Sequence, residues 1–129
     1  MITNSNFSSA SILTIPYLYL DMVGSEGLKE IRENAILNAN YLKKKLETDY
    51  KIYSQNSNGF VGHEFIIDLR EFKPLGITEK DIAKRLLDYS FHPPTMSWPI
   101  LGSVMIEPTE SEDKDELDRF VDAMKNIRE

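Results

Sequence analysis

The sequence predicts a small α+β layer domain: a small, mostly antiparallel sheet with helices on one face. Three observations carry this. Apolar residues recur at steps of three and four in three separate segments, the period of an amphipathic helix. Between Phe60 and Arg70 they alternate, the period of a half-buried strand. Helical and extended patterns are interleaved within 129 residues, a length that fits one domain.

Residues 1–10, rich in Ser and Asn, read as an irregular lead-in. Residues 11–23 (S-I-L-T-I-P-Y-L-Y-L-D-M-V) are apolar and aromatic on nearly every side, with Pro16 placed to open a helical turn. Such a segment in so short a chain is expected to lack its packing partner. Gly24-Ser25 punctuate, and Ser25 is the expected N-cap of a helix of about six turns. Its stripe is Leu28, Ile31, Ala35, Ala39, Leu42 and Leu46. Lys43-Lys44-Lys45 read as a solvated face that complements the helix end.

Residues 50–55 read as a short strand, Asn56-Ser57-Asn58-Gly59 as a turn, and residues 60–70 as a longer strand. On that strand Val61, His63, Phe65, Ile67 and Leu69 share one face, so His63 is expected to be half-buried and satisfied. His63 and Glu64 then point to opposite faces and share no site. Lys73-Pro74-Leu75-Gly76 breaks the chain, and Thr78 with Asp81 forms a capping box for a helix over residues 79–89 that buries Ile82, Ala83, Leu86 and Leu87. A strand over residues 103–107 follows. Thr109 with Glu112 fits a second capping box, and the last helix carries Leu117, Phe120, Val121, Met124 and Ile127 on one stripe. The acids Glu110, Glu112, Asp113, Asp115 and Glu116 suit the positive end of that helix rather than a cation.

The bulk numbers exclude several classes. A net charge of −6 argues against nucleic acid or an anionic membrane as partner. The absence of Cys excludes disulfides and thiolate chemistry. No apolar run approaches the ~20 residues that span a bilayer. The start is neither basic like a signal peptide nor Arg-rich like a transit peptide. There is no phosphate-binding P-loop, dinucleotide turn, C-x-x-C or H-E-x-x-H. Two histidines without a clear third ligand predict no metal site, and a metal hydrolase built on His63 and His92 lacks ligand spacing. Ser9, Ser11, Thr95 and Ser97 have no recognisable base partner.

The segment F-H-P-P-T-M-S-W-P-I-L-G-S-V-M-I-E-P-T-E-S at 91–111 is the most informative stretch. Pro93 and Pro94 fix φ and stiffen a polar loop beside a core strand, a common way to present side chains to a ligand.

Four segments together resemble one family. F-S-S-A-S-I-L at 7–13 is similar to its Y-G-S-A-S-I-L stretch, and A-I-L-N-A-N-Y at 35–41 to its V-A-I-L-N-A-N-Y helix. G-H-E-F-I-I-D-L-R at 62–70 resembles A-H-E-C-I-L-D-L-R, with Phe65 where a Cys is common. F-H-P-P-T-M-S-W-P with M-I-E-P-T-E-S resembles F-H-A-P-T-M-S-F-P … M-I-E-P-T-E-S. On these motifs the chain is identified as a member of the glycine cleavage system P-protein family, the decarboxylating glycine dehydrogenases.

The resemblance implies a type I pyridoxal-phosphate-dependent fold. Residues 1–24 would end the cofactor-domain or interdomain segment, and residues 25–129 would be the C-terminal small domain. No Lys here follows a His, so the family's cofactor lysine is expected outside this chain, and the chain alone is expected to be inactive. The complete enzyme would bind pyridoxal phosphate, decarboxylate glycine and pass the aminomethyl group to the lipoyl arm of the H-protein. Implied partners are the rest of the P-protein or a second subunit, the lipoylated H-protein and glycine, with no nucleic acid or membrane. The implied compartment is the cytoplasm in bacteria and the mitochondrial matrix in eukaryotes. Ser9 and Ser11 would sit near the cofactor phosphate or substrate, and His92, Thr95 and Ser97 would line the substrate and lipoyl channel. Glu107 would order the Pro-rich loop. The alternative is a stand-alone binding or regulatory module, or a split subunit that pairs with a separate catalytic chain.

Overall fold

The computed structural model describes residues 9–129. Phe7, Ser8 and most of the expected lead-in lie outside the described residues. A 3-10 turn, Ala10–Leu13, leads into α1, Thr14–Leu46. Then come β1 (Lys51–Ile52), β2 (Phe65–Asp68), a 3-10 helix (Arg70–Leu75), α2 (Glu79–Asp88), β3 (Thr95–Met96), β4 (Ser103–Ile106) and α3 (Lys114–Arg128). The four strands form one antiparallel sheet in the order β1-β2-β4-β3. The α+β class read from the sequence is the observed one.

Period-2 alternation sets the core. Phe65 and Ile67 pair directly with Ile106 and Val104, and all four are buried. Against them pack Ala39, Leu42 and Leu46 of α1, Ile82 and Leu86 of α2, and Leu117, Val121 and Met124 of α3. Tyr50 joins this core and donates its hydroxyl to the Met124 carbonyl at 2.7 Å. Burial pushes its pKa up to about 12, so it stays a neutral donor.

α1 is two helical pieces. Gly24, at φ 65 and ψ −176, breaks it, in a region that residues with a Cβ avoid. The break thus falls one residue before the expected Ser25 cap. The stripe after it is only partly used: Ala39, Leu42 and Leu46 are buried, Ile31 and Ala35 half-buried, and Leu28 exposed. Before the break, Pro16 sits in the first turn as expected, and Ile15, Tyr17, Leu18 and Met22 are exposed. Among the described residues, the apolar segment lies without a packing partner.

Other expectations are corrected by local hydrogen bonding. The strand expected over 60–70 is only Phe65–Asp68. Asn40 takes both backbone groups of Val61, accepting from its N–H at 3.0 Å and donating to its carbonyl at 2.9 Å, so residue 61 has none left for a neighbouring strand. The Asn56–Gly59 turn is present, with the Asn56 side chain accepting from the N–H groups of Asn58 and Phe60. Lys43 is buried, unlike Lys44 and Lys45, because this turn folds back and its Gly59 carbonyl accepts from Nζ at 3.0 Å while Glu47 pairs with the charge. Leu87 is 54% exposed, since the buried face of the short α2 is only as wide as Ile82, Ala83 and Leu86. The Thr78/Asp81 capping box forms. The second box does not: Asp113 caps α3 by accepting from the Glu116 N–H, and Thr109 lies in a turn at φ 61.

Asp68 is buried at the end of β2. Two side-chain bonds from Arg70, at 2.8 and 2.7 Å, hold its carboxyl well below the usual carboxylate range. A depressed folded-state pKa gives stability that is complete above the unfolded value of about 3.9 and is lost as pH falls through the folded value. Melting temperature measured from about pH 5 down to about pH 2 is therefore expected to fall less steeply in Asp68→Asn than in the parent chain. Leu42→Ala, which empties the α1 contact, is expected to lower unfolding free energy by about 2–5 kcal/mol in denaturant titrations.

Candidate functional site

The Pro-rich loop leaves α2 through Ser90, at φ 63, and the Phe91 N–H returns to the Leu86 carbonyl at 3.0 Å. Pro93 and Pro94 follow, then β3, whose Thr95 pairs with Met105 of β4. Ser97 turns the chain at φ 56, and its N–H reaches the Ser103 carbonyl at 2.8 Å. Trp98, the only tryptophan in the chain, is 62% exposed at the tip, ahead of a cis bond to Pro99. Gly102 closes the loop at φ 80, where a Cβ would come within 3.0 Å of Arg70.

Between this loop, β4 and the start of α3 lies a cavity of about 330 Å³. His92, Pro93, Pro94 and Thr95 line one part of it, with Glu107 and Glu112 adding carboxylates and Leu42, Leu117 and Phe120 apolar surface. Phe91 and Phe120 meet edge to face with centroids 5.1 Å apart. The Arg119 guanidinium lies 3.8 Å from the Phe91 ring centre and donates to the Tyr89 carbonyl, bracing the loop entrance. The cavity is thus an apolar slot with a few polar groups, the usual make-up of a small-molecule site.

The sequence-derived site residues separate into three groups. His92 and Thr95 share the cavity wall. Ser97 does not line it: its hydroxyl donates to Glu79 at 2.8 Å, which holds the Glu79 carboxyl below its usual range and ties the loop to the start of α2. Ser9 and Ser11 sit at the 3-10 turn with their hydroxyls 2.9 Å apart, exposed and lining neither cavity.

His63 and Glu107 also depart from expectation. The His63 side chain is 60% exposed, because regular strand geometry starts only at Phe65. Freed from strand alternation, its Nε2 lies 3.8 Å from a Glu64 carboxylate oxygen and 3.8 Å from one of Glu107. Glu107 therefore faces His63, and among the described hydrogen bonds it makes none to the Pro-rich loop. Sequence reading missed Glu64, and it missed the two asparagines of the A-I-L-N-A-N-Y helix. Asn40 holds Val61, and Asn38 donates to the carbonyls of Thr109 at 3.0 Å and Glu112 at 3.3 Å. The available signal was the pair of amides two residues apart on a helix otherwise patterned for packing.

Residues 31–129 match the family described as glycine dehydrogenase, C-terminal domain. The chain belongs to that family. Among curated relatives, the chain is 58% identical over 124 residues to the human mitochondrial glycine dehydrogenase (decarboxylating), covering 95% of this chain and 12% of the relative. It is 55% identical over 128 residues to the Proteus mirabilis glycine dehydrogenase (decarboxylating), covering 98% and 13%. It is 57% identical over 128 residues to the mitochondrial enzyme of Pisum sativum, covering 98% and 12%. The chain thus spans only 12–13% of the length of these relatives. Among the described residues, no helix is long and apolar enough to cross a membrane.

The Asn40 clamp has a local readout. Asn40→Ala is expected to abolish the slow amide exchange of Val61 while leaving that of Ile67 in β2 unchanged; protection at Val61 that survives the substitution would show that the amide is held by something else.

Proposed function

We propose that this chain is the C-terminal small domain of a pyridoxal-phosphate-dependent glycine decarboxylase. Its complete form would pass the aminomethyl group of glycine to the lipoyl arm of an H-protein. The observation that carries the reading is 55–58% identity, across nearly the whole chain, to glycine dehydrogenases (decarboxylating). Residues 1–24 then belong to the end of the cofactor-domain or interdomain segment, and residues 25–129 to the small domain. The compartment follows the source, cytoplasm for a bacterium and mitochondrial matrix for a eukaryote, as the mitochondrial names of the human and pea relatives suggest.

The donors at Ser9 and Ser11 fit the cofactor's phosphate end, since two adjacent hydroxyls ahead of a helix N-terminus are groups a phosphate accepts from. The cofactor, when bound, supplies an electron sink for decarboxylation. This chain's own residues bind and orient. Pro93 and Pro94 keep His92 and Thr95 fixed on the cavity wall, where an imidazole and a hydroxyl can hold polar atoms of a substrate or arm. The Ser97–Glu79 bond anchors the far side of the loop, and the apolar walls exclude water. Ser97 is therefore a positioning residue rather than a channel contact.

The exposed side chains of Ile15, Tyr17, Leu18 and Met22 call for a covering surface, either the rest of the P-protein or a second subunit. The same exposed face also suits a split subunit docking on a separate catalytic chain, the second reading.

In the complete enzyme, His92→Ala combined with Thr95→Ala is expected to lower kcat/KM for glycine decarboxylation about tenfold or more, with cofactor absorbance and circular dichroism unchanged. Turnover equal to the parent enzyme would remove the cavity from the reaction path.

A further inference from the structure

We infer that His63, Glu64 and Glu107 form a binding site for one divalent cation of the zinc class. The three side chains each offer one ligand atom, and these atoms all lie within 4.8 Å of one another. Each carboxylate has an oxygen 3.8 Å from His63 Nε2. Ligands bound at about 2.0–2.1 Å in a tetrahedron stand about 3.3 Å apart, so small rotations of exposed side chains complete the geometry. One imidazole with two carboxylates is a donor set that suits zinc, and it leaves a coordination position open.

The backbone brings these residues together without any need for the ion. The pairing of Phe65 with Ile106 makes Glu64 and Glu107 the next residues outward on adjoining chains. The loop that carries His63 is pinned at Val61 by Asn40, and the turn after Glu107 is pinned at Thr109 and Glu112 by Asn38. Both clamps come from the same stretch of α1, two residues apart, so a single helix sets the separation of the two ligand-bearing segments. A preformed arrangement lowers the ordering entropy that a surface site usually loses on binding.

The electrostatics favour a cation. Two carboxylates lie beside one imidazole within one small volume, on a chain of net charge −6. His63 and Glu107 also line a second cavity of about 280 Å³, together with Arg32 and Thr109. The ion's open position would face that space, and Arg32 and Thr109 supply a cation and a hydroxyl able to hold water or a small anion bound to the metal.

Calorimetric titration of zinc into the metal-stripped full chain tests this, with His63→Ala, Glu107→Gln and His92→Ala alongside. The site requires one equivalent bound by the parent, affinity lowered about tenfold or more in His63→Ala and in Glu107→Gln, and unchanged affinity in His92→Ala. Zinc should also raise the melting temperature of the parent but not of His63→Ala, which separates site binding from loose surface association. Circular dichroism without metal checks that each variant folds; a variant that fails is replaced by His63→Gln or Glu64→Gln, with the same loss of binding required. Absence of binding, or equal affinity in parent and folded His63 variant, would overturn the inference.

Discussion

The antiparallel register of β2 against β4 is the constraint on which the rest of this domain depends. With Phe65 opposite Ile106 and Ile67 opposite Val104, four apolar side chains face the helices together. A slip of one residue would turn that set outward and bring Ile66 and Met105 in its place. The same register sets Asp68 opposite Ser103 at one end, both buried and both satisfied, by Arg70 and by the Ile100 carbonyl. At the other end it brings Glu64 beside Glu107. Core, buried polar pair and surface cluster are three results of one alignment.

The second half of α1 converts this sheet into a scaffold for loops. Leu42 and Leu46 seal the core, while Asn38 and Asn40 point from different sides of the helix to loop backbone at Thr109, Glu112 and Val61. Loops normally carry backbone groups that only water satisfies. Here side-chain amides substitute for water at Val61, Thr109 and Glu112, so the segment before β2 and the segment after β4 are tied to α1. Segments that carry the family resemblance thus include structural fasteners as well as cavity-lining residues, and motif strength does not by itself mark a residue as chemical.

Much of the fold was legible in the sequence because it rests on local period. The stripe of α3, the capping box at Thr78 and the alternation from Phe65 to Leu69 each require only neighbours a few residues apart. What escaped was set by distant partners. The strand stops at Phe65 because Asn40, far back in the chain, captures Val61, and Lys43 is buried because a later turn offers its carbonyl. Of the cavity, loop composition marked only a stiff polar loop; that His92 and Thr95 line a channel was what the resemblance implied, and both do line the cavity wall. Ser97 looked the same in sequence and is directed elsewhere by a positive φ, which no residue type announced. The convergence of His63, Glu64 and Glu107 was hidden by assuming regular strand geometry from residue 60, five residues too early.

The position of Trp98 has an optical consequence. It is the single indole in the chain, it stands mostly in solvent, and it is three residues beyond Thr95 on the loop that walls the larger cavity. Indole emission shifts to shorter wavelength as its surroundings lose water, whereas the tyrosines emit little by comparison. Light excited in this residue therefore comes from one point on one loop, and its colour is a built-in gauge of whether that loop meets water or another surface.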